Sequence, residues 1–102
     1  MTTSKSYQEF ILECLVLDDI STRPMMGEYL LYYRGVLVGG LYDEQLLLKE
    51  VPGTTKYNLE QVLPYAGAKR TMYLVEDLDD KDKLKELILA TYGELSTKRH
   101  TQ

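Results

Sequence analysis

Few residues of this chain could carry acid–base or nucleophilic chemistry. The only histidine is His100, close to the C-terminal end of the sequence, whereas a Ser-His-Asp type of triad needs a histidine held inside the fold. The only cysteine, Cys14, lies on an apolar stripe, which is typical of a small buried side chain rather than of a reactive thiol. Neither of the glycine-rich phosphate-loop patterns occurs. We therefore predict that the protein is not an enzyme and has no cofactor or metal site.

Five carboxylates lie close together between Glu76 and Asp82. A calcium loop of the EF-hand type beginning at Asp77 would need glycine where Asp82 stands and a bidentate glutamate where Ile88 stands. The calcium hypothesis fails at both positions. Carboxylates just before a helix complement the positive end of its dipole, and this is the role that we predict for the run.

Four basic residues, Arg23, Arg34, Lys69 and Arg70, fall at predicted turns. A nucleic-acid surface would require them to converge with some of the nine tyrosines, so that bases could stack on the rings. The net charge of −4 and the pI near 4.9 disfavour binding of a phosphate backbone. We predict no nucleic-acid partner.

The length of 102 residues indicates one domain spanning residues 1–102, and the composition is that of a globular chain, with 44% hydrophobic and 27% charged residues. One cysteine cannot form an intramolecular disulfide and suits a reducing compartment. We find neither an apolar run of about 18 residues nor an N-terminal apolar segment of the signal-peptide type. These observations predict a cytoplasmic protein that does not enter the membrane.

A helix is predicted at each end of the chain. The first begins with a capping box from Ser6 to Glu9 and ends at Asp18-Asp19, where two acids oppose the helix dipole. The last begins at a cap formed by Asp79 or Asp80 and leaves a frayed polar tail over residues 96–102. Apolar stripes are expected at Tyr7, Phe10, Ile11, Cys14, Leu15 and Leu17 in the first helix, and at Leu84, Leu87, Ile88, Thr91 and Leu95 in the last.

Short connections predict an antiparallel meander in the middle of the chain. Its strands are Tyr29–Tyr33, Val36–Tyr42 and Gln45–Val51, joined by tight turns at Arg34-Gly35 and Asp43-Glu44. The rest of the region is expected to hold a short helix within Thr54–Gln61, an extended Leu63-Pro64-Tyr65, a turn at residues 67–70 and a strand at Thr71–Val75.

Both faces of the meander are apolar, whereas a sheet with one face in water alternates apolar and polar residues. Gly39-Gly40 indicates either a bulge or a close approach by another group. Two helices cover one face of a small sheet, so we predict a symmetric homodimer built on the other face; the alternative is a closed monomer with one helix on each side. Strict alternation assigns Tyr29, Leu31, Tyr33, Val36, Val38 and Tyr42 to one face, and Leu30, Tyr32, Leu37 and Leu41 to the other.

The stretch Thr22–Tyr33, with its sequence TRPMMGEYLLYY, resembles the opening signature of the TfoX/Sxy N-terminal domain, in its short stand-alone bacterial form. The resemblance continues through Gly35, Gly39-Gly40 and Leu46–Lys49, and resumes at Leu63–Lys69 and Met72–Glu76. It implies a two-layer α+β fold, an antiparallel meander plus C-terminal strands with helices at both ends, in the order α-β-β-β-(α)-β-β-α. The motif residues that we carry forward as candidates are Arg23, Met25, Met26, Gly27, Tyr29, Lys49 and Lys69.

Longer members of that family are competence regulators with a second, C-terminal domain, and the resemblance supplies no catalytic residues. It implies a non-enzymatic protein-interaction module with a role in regulating transcription or competence, whose protein partner the sequence does not identify. The alternative is a small-ligand-binding domain with a pocket between the sheet and Arg23. In either case Gly27 is expected to allow a tight entry into the sheet, with Arg23 pinning the loop.

Overall fold

The computed structural model describes the backbone of residues 2–100 and the side chains of residues 2–96, so the side chain of His100 lies outside the described part. Along the chain, six strands and one 3₁₀ helix lie between two α-helices. They are α1 (Lys5–Cys14), β1 (Ile20–Met25), β2 (Glu28–Tyr33), β3 (Val36–Tyr42), β4 (Gln45–Leu48), the 3₁₀ helix (Pro52–Tyr57), β5 (Glu60–Val62), β6 (Met72–Val75) and α2 (Lys81–His100).

The strands form a single antiparallel sheet in the order β1-β2-β3-β4-β6-β5. This confirms the predicted α+β class, with helices near both termini and a β2-β3-β4 meander. The third strand of the meander is shorter than predicted, because β4 ends at Leu48 rather than at Val51. β5 lies outside β6, so the chain crosses from the middle of the sheet to its edge through the 3₁₀ helix.

The edge strand β1 was not predicted from the sequence. Arg23 was expected at a turn, and five strands were predicted instead of six. Pro24 pairs with Tyr29 at the edge of the sheet, where a residue without a backbone N–H is tolerated. Arg23 is therefore a strand residue and not a turn residue.

Tight turns with left-handed backbone conformations join the first four strands. Arg34 and Gly35 have φ values of 51° and 79°, and Asp43 and Glu44 have values of 52° and 57°. Both turns were predicted. A third turn of the same kind, Met26-Gly27, joins β1 to β2 with φ values of 51° and 86°. Two consecutive positive φ angles match the right-handed twist of a hairpin, which explains why the connections are so short.

The helix ends differ in part from the prediction. The side chain of Ser4, and not that of Ser6, caps α1 by accepting a hydrogen bond from the N–H of Tyr7 at 3.1 Å. The helix then ends at Cys14, four residues before Asp18. At α2 the predicted cap is confirmed, since Asp80 accepts from the N–H of Lys83 at 3.0 Å. The helix continues to His100, so residues 96–100 of the predicted tail are part of α2.

The segment between β4 and β6 was also predicted only in part. The short helix is a 3₁₀ helix that begins earlier, at Pro52, and ends where Asn58 adopts a left-handed φ of 54°. Glu60–Val62, which overlaps the predicted helix, is a strand. The predicted extended segment Leu63–Tyr65 lies in the loop between β5 and β6.

Both helices pack on one face of the sheet, which we call the inner face. Buried residues of α1, α2 and four strands form one hydrophobic core there; the alternative with one helix on each side is therefore wrong. The predicted stripes supply this core, except that Phe10 is 48% exposed. The core consists of Ile11, Cys14, Leu15, Leu31, Tyr33, Val36, Val38, Leu41, Leu46, Leu48, Val75, Leu84, Leu87 and Ile88.

A β-bulge in β3 changes which side chains reach the core. Leu31 pairs with Gly39 but the next residue of β2 pairs with Leu37, so Val38 has no partner in β2. The extra residue reverses the alternation, and Leu41 points to the inner face while Tyr42 points to the opposite one. These two residues were predicted on the wrong faces. A bulge or a close approach was predicted at Gly39-Gly40, and the bulge lies at Val38, directly before Gly39.

Candidate interaction surface

The face of the sheet opposite the helices, which we call the outer face, is divided into two halves. In one half, a small second core buries Tyr42 at the end of β3 together with Leu47 of β4 and Leu74 of β6. The loop between β5 and β6 lies against this half, with the ring centre of Tyr65 6.2 Å from that of Tyr42. Gly40 makes room for the packing, because a Cβ at this position would overlap the Tyr42 ring. The chain therefore covers this half of its own outer face.

The half of the outer face over β1, β2 and β3 carries no helix. Leu30, Tyr32 and Leu37 are all half-buried there, without the burial of their counterparts on the inner face. The guanidinium of Arg23 lies over the ring of Tyr32, 5.6 Å from its centre, in a cation–π arrangement. The result is a patch of aliphatic and aromatic surface, which we call the open apolar half and define by Leu30, Tyr32 and Leu37.

A groove of about 960 Å³ lies beside this patch, at the end of the sheet where β4 ends and β6 begins. Its floor is formed by side chains of the sheet, including Leu37, Tyr42 and Met72, and its wall by the loop that contains Tyr65. Tyr65 is 57% exposed, so the groove is open to solvent along its side. Three cations, Lys49, Lys69 and Arg70, also line it.

These three cations have no partner among the described residues. No described carboxylate lies within 4.0 Å of their nitrogen atoms; the ion pair that is described joins Arg34 and Asp19, at 3.5 Å, away from the groove. Glu50 also lines the groove, but its carboxylate accepts hydrogen bonds from Thr71 at 2.6 Å and Gln61 at 3.1 Å. The groove is thus positively charged in a protein whose net charge is −4.

Burial affects the titration of two groups on opposite faces of the sheet, the Tyr42 phenol and the Cys14 thiol. Burial raises the pKa of the Tyr42 phenol, and Tyr65 and Glu28 raise it further, so Tyr42 remains a neutral phenol. Burial likewise raises the pKa of the Cys14 thiol on the other side of the sheet. Cys14 is buried and unpaired, which confirms its predicted place in the core.

The structure separates the candidate residues from the sequence into two groups. Lys49 and Lys69 both line the groove. A pocket was expected between the sheet and Arg23, but Arg23 does not line the groove. Arg23 pairs with Leu30 across the sheet edge and has no described hydrogen bond to the loop that it was expected to pin. Arg70 and Tyr65 line the groove and were missed as site residues, although Tyr65 fell in the recognised pattern and Arg70 was counted among the turn cations.

The other candidates surround the hairpin between β1 and β2. Met26 is 94% exposed at its tip, and Gly27 follows it with a carbonyl that accepts from the N–H of Thr3 at 2.9 Å. Met25 packs against the small core of the outer face, while Tyr29 packs against the inner core. Residues of this motif therefore pack on both faces of the sheet near the β1–β2 hairpin. Their described contacts are with other parts of the fold.

Comparison of the chain with family models, with curated proteins and with solved structures gave no match. Among the side chains of residues 2–96, no three or more histidine, cysteine, aspartate or glutamate residues are grouped so that they could hold a metal ion. No helix of the described part is long and apolar enough to cross a membrane.

Proposed function

We propose that the protein is a non-enzymatic interaction module that works through protein contacts made by its outer face. The observation that carries the proposal is the open apolar half, where Leu30, Tyr32 and Leu37 remain partly exposed while both helices pack on the opposite face. Exposed apolar side chains grouped on one face of a soluble protein often mark an interaction surface. A partner that covers this half removes its apolar surface from water, and this burial stabilises the complex.

The resemblance of Thr22–Tyr33 to the TfoX/Sxy N-terminal domain supports a regulatory role for this module, in transcription or competence. The buried, unpaired Cys14 supports a cytoplasmic setting, where thiols stay reduced. Such a role requires contacts with a separate protein partner.

The first partner that we propose is a second copy of the chain. A two-fold axis on the outer face would cover the open apolar halves of both copies at once. Size-exclusion chromatography with light scattering at micromolar concentration should give about twice the chain mass of 11.8 kDa. A mass near 11.8 kDa throughout a dilution series would contradict self-association.

A matched pair of variants tests whether the outer face makes the contact. Leu37→Lys places a charge in the open apolar half, and we expect it to convert the dimer into a monomer because burying the ammonium is costly. Leu89→Lys makes the same change on α2, where Leu89 is 39% exposed, and should leave the mass unchanged. A dimeric Leu37→Lys together with a monomeric Leu89→Lys would instead place the interface on the helices.

The groove favours a second candidate function, a small-ligand-binding domain. Its volume of about 960 Å³ is within the range of ligand sites, and aromatic and cationic side chains line it together. A thermal-shift screen of metabolites distinguishes the two functions, because a ligand at about 100 times its dissociation constant adds about 2.7 kcal/mol of stability. Reproducible hits combined with a monomeric mass would favour the ligand-binding domain.

A further inference from the structure

The three cations of the groove come from two segments that the pairing of β4 with β6 brings side by side. Leu48 of β4 pairs with Tyr73 of β6. Lys49 follows β4 directly, and Lys69 and Arg70 come just before β6, so all three lie at the same end of this strand pair. Lys49 is half-buried, whereas Lys69 and Arg70 are exposed. Cations of two separate chain segments therefore line one concave surface.

The carboxylate that lines the same groove is held by neutral donors. One oxygen of Glu50 accepts from the Thr71 hydroxyl at 2.6 Å and from the Gln61 amide at 3.1 Å. Among the described residues, the groove thus has three cations against one carboxylate, and none of the three forms an ion pair. The two remaining positive charges match a phosphate monoester, which carries a charge of about −1.5 to −2 at neutral pH.

Aromatic and apolar side chains lie beside the cations. The loop before β6 contains Tyr65 in a tight turn, which the N–H of Ala68 closes by donating to the Tyr65 carbonyl at 3.1 Å. The Tyr65 side chain is 57% exposed, and Leu37 and Met72 contribute half-buried apolar side chains to the floor. The exposed ring can stack on a planar group whose charged end reaches the cations.

We propose that the groove binds a phosphate monoester that carries a planar ring, which is the chemistry of a mononucleotide. Lys49, Lys69 and Arg70 hold the phosphate through charge-assisted hydrogen bonds, and Tyr65 stacks on the ring. This site rests on the second candidate function, ligand binding, and deepens it by naming the class of ligand. The volume of about 960 Å³ is sufficient, since ligand sites range from about 300 to 1,000 Å³.

The charge of the groove suits a mononucleotide better than a nucleic-acid strand. Binding along a strand needs a positively charged groove that follows successive phosphates. The three cations lie together at one end of the β4–β6 pair, in a protein whose net charge is −4. A cluster of this kind is suited to one phosphate group.

Isothermal titration calorimetry of the full chain with three probes tests the site. Adenosine 5′-monophosphate contains both parts of the ligand, inorganic phosphate contains only the anion, and adenosine contains only the ring. We expect the monophosphate to bind, and the other two to bind at least about tenfold more weakly, because each lacks one set of contacts. Added salt should weaken the binding of the monophosphate, since salt screens the charges.

Two variants separate the two sets of contacts. K69Q/R70Q removes two cations and should weaken the monophosphate at least about tenfold. Tyr65→Ala removes the ring and should weaken it about tenfold without changing its dependence on salt. The control K5Q/K85Q removes two exposed cations from the helices and should bind the monophosphate like the wild type. Circular dichroism melts establish that each variant is folded before its binding is interpreted.

Failure of this site can be distinguished from failure of the proposed function. No binding of the monophosphate at millimolar concentration overturns the site, as does binding that K69Q/R70Q leaves unchanged. Equally tight binding of inorganic phosphate overturns the contact with the ring. A short single-stranded oligoadenylate that binds at least about tenfold more tightly than the monophosphate overturns the small-ligand site in favour of a nucleic acid. Thermal-shift hits with uncharged metabolites alone would keep the ligand-binding function and overturn this class of ligand, while the mass of Leu37→Lys tests the protein contacts independently.

Discussion

Gly27 shows how much a single residue can control in this fold. Its φ of 86° lies in the left-handed region, and a Cβ there would come within 3.0 Å of the Thr2 methyl carbon. Its carbonyl also holds the N-terminal segment through the N–H of Thr3. The turn that joins β1 to β2 and the attachment of the first residues therefore depend on the same position.

We expect Gly27→Val to destabilise the protein by about 1–3 kcal/mol, because a β-branched residue resists a positive φ. Chemical denaturation of the two proteins measures the difference. Gly27→Asn is the matched control: asparagine tolerates the left-handed region better and should lose less. Equal melting temperatures for Gly27→Val and the wild type would show that the glycine is incidental.

Glu44 provides a prediction for the dependence of stability on pH. Hydrogen bonds from Ser4, first from its side chain and then from its backbone N–H, lower the pKa of the Glu44 carboxyl below its ordinary value of 4.5. A carboxyl with a depressed folded pKa stabilises the fold above its unfolded pKa, and this stabilisation is lost as the pH falls through the folded pKa. Glu44→Gln removes the ionised carboxylate and keeps the shape of the side chain.

We therefore expect Glu44→Gln to be less stable than the wild type at neutral pH and to converge with it in acid. Urea denaturation at a series of pH values measures the gap. Asp43→Asn, in the same turn, serves as the control for removing one negative charge. A gap that stays constant down to acid pH would contradict the role of the Ser4 contacts.

At the scale of elements, glycine has opposite effects in α2 and β3. Gly93 lies in the exposed part of α2, and a Cβ there would meet no atom within 4 Å. Gly39 lies at the bulge of β3, where a Cβ would overlap the Leu47 carbonyl oxygen and come within 2.9 Å of the Leu48 Cα. The bulge brings β4 so close that only glycine fits.

The same substitution should consequently have opposite signs in the two elements. We expect Gly93→Ala to stabilise the protein by about 0.5–1 kcal/mol, because alanine loses less backbone entropy in a helix. Gly39→Ala should destabilise it by about 1–3 kcal/mol through overpacking against the backbone of β4. Thermal melts of the two variants beside the wild type provide the measurement, and a tolerated Gly39→Ala would argue against the close approach.

At the scale of the whole molecule, the proposed self-association predicts that stability depends on protein concentration. A dimer that dissociates on unfolding is stabilised by mass action, so its melting temperature rises with protein concentration. We expect the wild type to melt at a higher temperature when its concentration is raised about a hundredfold, and Leu37→Lys to show no such dependence. Concentration-independent melting of both proteins would contradict self-association.

The sequence by itself determined the elements whose signals are local. Tight turns need left-handed residues and helix caps need short polar ones, so Arg34-Gly35, Asp43-Glu44 and the cap at Asp80 were all predicted correctly. Periodicity likewise identified both helices and the meander. These features depend on residues within a few positions of one another, and this is why they can be predicted from a single chain.

Only the tertiary structure decided which residues meet across long distances. The edge strand β1 has weak local signals and forms because β2 provides a partner, and one extra residue in β3 reverses the faces of Leu41 and Tyr42. The groove unites Lys49 with Lys69 and Arg70 because β4 and β6 are neighbours, although about twenty residues separate them in the chain. Pairing between distant strands sets such contacts, and the side-chain pattern of each strand alone does not specify its neighbour.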